Sequence, residues 1–163
     1  MRHLLRPRRL AILSGLLLAL SFIGLPPAAA VPPGTLTSAS ALSYPELVQS
    51  LNSAVRANKM GLVTRASATV GVGKALKQKI PGNMVVGVYR PDFAKRMLDA
   101  SIPAGIEAPL RFYLTETANG ASQLTYRQPS AVFAPYDDPT GQLAVLAREL
   151  DALFAKIAAE AVR

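Results

Sequence analysis

The chain has 163 residues, with 18 Lys and Arg against 10 Asp and Glu for a formal charge of +8. It contains no Cys and no Trp, and its single His is His3. Disulfides, thiol nucleophiles and Cys-held metals are therefore excluded, and beyond His3 so are Ser-His-Asp chemistry and His-ligated zinc, copper or haem.

The first thirty residues predict a secretory signal peptide. Arg2, Arg6, Arg8 and Arg9 precede an uncharged run from Leu10 to Leu25, which ends at Pro26-Pro27. Ala28-Ala29-Ala30 then supplies the small residues of a cleavage site. At 16 residues the run is shorter than the roughly 20 that span a bilayer comfortably. Cleavage is expected between Ala30 and Val31, giving a periplasmic or secreted product whose only tie to a membrane is the signal before cleavage. Arg8-Arg9 suggests twin-arginine export, but Leu10-Ala11-Ile12 departs from that motif's continuation, which favours general secretion. Beyond Ala30 there remain 14 basic and 10 acidic residues, a charge of +4. Nucleic-acid binding thereby loses its compositional support, and no nucleic-acid partner is expected.

Val31 to about Thr37 is Pro/Gly-rich and predicts a flexible leader, with a single domain over residues 38–163. Leu36 to Leu42 predicts a short first strand. Ser43-Tyr44-Pro45-Glu46 is an S-x-x-E capping box with proline in the first turn. Leu47, Leu51 and Val55 then set an i, i+4, i+8 stripe for a helix ending near Asn58, with Gly61 as its stop. Leu62–Ala68 predicts a strand and Val70–Ile80 a short lysine-rich helix. Met84–Tyr89 is short, β-branched and bounded by turn residues, the strongest strand signal. Pro91–Ser101 predicts a helix with Phe93, Met97 and Leu98 inward. Leu110–Glu116 and Gln123–Gln128 predict a hairpin turning at Asn119-Gly120. Pro129–Pro139 predicts a loop, with Asp137-Asp138 capping the last helix. From Thr140 on, Leu143, Leu146, Leu150, Leu153, Ile157 and Ala161 mark that helix as amphipathic and about twenty residues long. Met60, Met84 and Met97 are expected to fill the core.

The stretches LVQSLNSAVRANKMGLVTR and GNMVVGVYRPDFAKRMLDASIPAGIEAPLRFYLTETANGASQLTYRQPS, followed by the long alanine-rich helix, resemble the domain-of-unknown-function family number 302. The resemblance covers residues 43–161. It is carried by the step at Gly61-Leu62, the strand followed by Pro91, the entry Ala108-Pro109-Leu110, and the Asn119-Gly120 hairpin followed by Tyr126 and Pro129. It implies an α+β fold of the TATA-binding-protein-like type: one domain, a curved antiparallel sheet with helices on one face, a β-α-β-β-β-β-α-like order with short extra helices, and a long C-terminal helix. It implies no activity, cofactor or catalytic residue. Many members have Asn-Pro after the central strand where this chain has Arg90-Pro91.

Side chains alternate across a strand, so phase decides which residues share a face. With Val86, Val88, Phe112, Leu114, Leu124 and Tyr126 turned to the helices, the open face should collect Arg65, Tyr89, Arg111, Tyr113 and Arg127. That set holds three cations and two tyrosines and no acid, with Gly87 leaving room at its centre. Such a face suits a small anionic or aromatic ligand, through guanidinium hydrogen bonds and ring stacking. The expected function is non-catalytic binding, without cofactor or metal. The alternatives are an envelope protein that forms homodimers through this face or the last helix, and an enzyme without His or Cys in its site. Lys74, Lys77 and Lys79 are expected to form a solvated face.

Overall fold

A computed structural model describes residues 31–163; the signal-peptide expectation for residues 1–30 lies outside them. The strands are β1 (Thr35–Ser40), β2 (Gly61–Ala66), β3 (Asn83–Tyr89), β4 (Leu110–Glu116) and β5 (Ser122–Arg127). The helices are α1 (Tyr44–Ala57), α2 (Ala68–Ala75), α3 (Pro91–Ala100), α4 (Pro129–Phe133) and α5 (Gln142–Ala161), with a 3₁₀ segment at Ile102–Glu107. The strands pair antiparallel throughout, in the order β1-β5-β4-β3-β2. This is an α+β domain.

Strand alternation sets one face of the sheet. Val86, Val88, Phe112, Leu114, Leu124 and Tyr126 are all buried and meet the apolar stripes of the helices. Their centre is aromatic: Phe112 stacks on Phe154 of α5 with ring centroids 4.6 Å apart, and Tyr126 tilts against both rings. Leu47, Leu51 and Val55 of α1 are fully buried, as the i, i+4, i+8 spacing predicts. Glu46 fixes the start of α1, its carboxylate accepting from the Ser43 backbone N–H at 2.9 Å and the Ser43 hydroxyl at 2.6 Å. Asp138 does the same for α5, accepting from the Ala144 N–H at 2.8 Å.

Several local details differ from the sequence expectations, beginning with Leu98, expected inward on α3 with Phe93 and Met97 but exposed. β1 begins at Thr35, inside the expected leader, because its pairing with β5 satisfies backbone groups that composition alone leaves open. The expected loop after β5 contains α4, whose Val132 and Phe133 are buried, and the Ser130 N–H donates to Asp151 at 2.9 Å. On α5, Phe154 is fully buried and Leu153 only half-buried, so the core stripe passes through the aromatic ring. In β2 the register shifts between Leu62 and Thr64, leaving Val63 as the extra residue of a β-bulge.

Candidate functional site

The bulge decides which arginines share a face. Directly paired residues in an antiparallel ladder point to the same side. Thr64 pairs with Gly87, on the open face, and Arg65 pairs with Val86, on the helix-covered face. Arg65 accordingly reaches toward α1, where its Nη2 donates to Asn52 Oδ1 at 2.8 Å. Uninterrupted alternation from Leu62 puts Arg65 on the open face; the inserted Val63 reverses it.

Tyr89 is on the open side at 38% exposure but is separated from the remaining candidates. The space above Gly87 is filled rather than free: a Cβ built there would meet Thr64 Oγ1 at 2.1 Å and Pro109 Cγ at 2.8 Å. Pro109, held by a cis Ala108-Pro109 bond, covers the middle of β3. Tyr89 instead borders a small apolar cavity of about 40 Å³, together with Phe93, Met97, Pro109 and Leu110.

The structure does bring together Arg111, Tyr113 and Arg127. They line a hollow of about 250 Å³ on the open face, with Val85, Thr125 and Glu107. Register explains the grouping. Phe112 pairs with Tyr126 on the core side, so the flanking residues Arg111 and Arg127 emerge opposite each other on the other side. Tyr113 pairs with Thr125 and Val85, and its hydroxyl accepts a hydrogen bond from Asn83 Nδ2, which fixes the ring.

The electrostatics are those of two cations beside one acid. Glu107, at the end of the 3₁₀ segment, lies 3.9 Å from Arg111 Nη2. Its other oxygen accepts from the Tyr136 hydroxyl at 2.7 Å, and that bond raises the Tyr136 pKa above the usual phenol range. The sequence expectation of an acid-free face is corrected here: Glu107 stands four residues before Arg111, beyond a proline that hides the relation. Arg127 is loosely held. Its Nη2 donates to the Ala131 carbonyl at 3.4 Å, and its buried Nε has no partner. Like charges directly across a strand pair are destabilising, and Glu107 offsets only one of the two. The arrangement has donor capacity and positive potential to spare for an anion. Among the described residues no group of three metal-ligating side chains is placed to hold an ion, and no helix is long and apolar enough to cross a membrane.

Comparison with known proteins gives a family and a fold. A solved structure of an uncharacterized conserved DUF302 protein from Bacillus stearothermophilus superposes with a TM-score of 0.71. It covers 80% of this chain and 99% of its own at 17% identity, a likeness of fold alone. The search of curated proteins returned no match. The family model for the domain of unknown function DUF302 matches residues 35–161, from β1 to the last residue of α5. This chain belongs to the DUF302 family.

Proposed function

We propose that the protein is an exported, non-catalytic binding module whose open sheet face takes a small anionic ligand in the hollow formed by Arg111, Tyr113 and Arg127. The observation that carries this reading is the juxtaposition of Arg111 and Arg127 from neighbouring strands in one hollow with a single carboxylate. A volume of about 250 Å³ lies below the roughly 300–1,000 Å³ of drug-sized sites, which favours a compact ligand over a large cofactor. For an anion that carries an aromatic ring, Tyr113, its hydroxyl bonded by Asn83, offers a fixed ring to stack on beside the charges.

The test begins with a thermal-shift screen against small carboxylates, phosphates and aromatic acids, since a ligand that binds only the folded state raises apparent stability. The double variant Arg111→Ala with Arg127→Ala is then titrated. Each guanidinium–anion bond contributes roughly 1.5–3 kcal/mol, so the pair should weaken binding on the order of a hundredfold. Unchanged affinity, with the fold intact by circular dichroism, rejects the hollow as the site. Because Arg65 is on the other face, Arg65→Ala should leave affinity unaltered.

Export rests on the N-terminal pattern of basic residues, apolar run and small residues. Mass spectrometry of the protein from its producing cell should find Val31 at the N-terminus. A product still beginning near Met1 removes this part of the proposal.

A further inference from the structure

Between Glu46 and Asp92 the chain runs 45 residues without an acid and carries seven basic residues. Three of them, Lys74, Lys77 and Lys79, belong to α2 and the turn after it. Helix α2 spans eight residues and buries none of them. Val70 is 52% exposed, and Leu76, which caps the helix, 61%. None of the three lysines enters an ion pair among the described residues. The neighbouring acid, Glu116, already accepts from the Gly82 N–H at 2.8 Å. Lys77 holds a left-handed backbone (φ 56°) just after the helix, where glycine would be unstrained. The helix is tied down at its N-terminal end, where the Ser67 hydroxyl donates to the Asn83 carbonyl and the Thr69 hydroxyl to the Pro81 carbonyl, both at 2.8 Å.

We infer that α2 and the turn after it, residues 68–80, form a docking surface for an anionic phospholipid bilayer. The segment has what a lipid interface rewards: ammonium groups that meet phosphate headgroups, and isolated aliphatic side chains that enter the boundary beneath them. Charge complementarity selects an anionic surface. The exposed Val70 and Leu76 select a lipid over a purely charged polymer, which gives aliphatic groups nothing to enter. This surface is separate from the Arg111 and Arg127 hollow and does not depend on it.

The probes are phosphatidylcholine vesicles with and without 30% phosphatidylglycerol, as a chosen composition, and the full chain. Each Lys near an anionic surface contributes about 1 kcal/mol, so Lys74→Gln, Lys77→Gln and Lys79→Gln together should lower partitioning about a hundredfold. At about 1 M salt, where the screening length is about 3 Å, wild-type binding should fall to the variant's level. These changes leave residues 1–30 intact, so binding carried by that segment would be equal in both proteins, and equality overturns the proposal. A second measurement does not depend on losing binding. The chain has no Trp, so Leu76→Trp places one reporter on the segment. Its emission should shift to the blue with the anionic vesicles and not with phosphatidylcholine alone. No shift overturns the proposal. So does binding to polyglutamate as tight as to vesicles and indifferent to Val70→Ser with Leu76→Ser, which would assign the segment to an acidic macromolecule.

Discussion

A methyl group added at Gly87 would have to displace the Pro109 ring, 2.8 Å away, as well as the Thr64 hydroxyl. The hydroxyl can rotate away; the ring is fixed at the entry to β4. Gly87→Ala should therefore cost about 1–3 kcal/mol, as overpacking in a close-packed site does, and the urea midpoint should fall accordingly. A midpoint equal to wild type would show that Pro109 moves freely. Arg90 shows a residue-scale solution of a different kind. It holds Asp92 through two hydrogen bonds of 2.7 and 2.9 Å and lies 3.5 Å over the Phe93 ring. Its bonds hold the Asp92 carboxyl below the usual carboxylate range. The chain thus enters α3 with an ion pair stacked on a core ring.

Helix starts translate such pairs into pH dependence. Hydrogen bonds from the Ser43 hydroxyl and backbone lower the Glu46 pKa. At Asp138 burial acts upward, but the N–H groups of Ala144, Leu143 and Gly141 outweigh it, and that value is lowered too. A carboxyl with a lower value folded than unfolded stabilises the fold at pH above its unfolded value and loses that contribution as pH falls through its folded one. Stability should thus decline as pH drops below about 4, and Glu46→Gln, which cannot titrate, should show a shallower decline in urea midpoints from pH 7 to pH 3. An identical slope would remove Glu46 from the account. At this scale the central strands were legible, because β-branched and aromatic residues at Val86, Val88, Phe112 and Leu114 alternate without interruption. The β2 phase was not: no Gly or Pro between Leu62 and Thr64 signals the inserted Val63, and one extra residue moves Arg65 to the other face. Glu107 is hidden in the sequence for a related reason. Its nearness to Arg111 arises from the 3₁₀ segment and the Pro109 turn, which carry no period. Arg111, Tyr113 and Arg127 were legible as a group because β4 and β5 keep a regular ladder.

The whole molecule is closed by contacts between residues far apart in sequence. Thr37 and Thr125 share a hydroxyl contact of 2.9 Å across 88 residues, and the Ser40 hydroxyl donates to the Val162 carbonyl across 122. The family match runs over the same span, from β1 through α5. Long-range pairing must overcome loop-closure entropy before it gains anything, which makes folding late and collective. The stacking of Phe154 on Phe112 has the same character, since α5 comes after every strand it covers. A chain leaving a ribosome N-terminus first therefore offers its sheet residues long before the ring that roofs them. Until Phe154 emerges, the Phe112 ring of β4 lacks the partner that stacks on it, and apolar surface left open in this way is what chaperones bind.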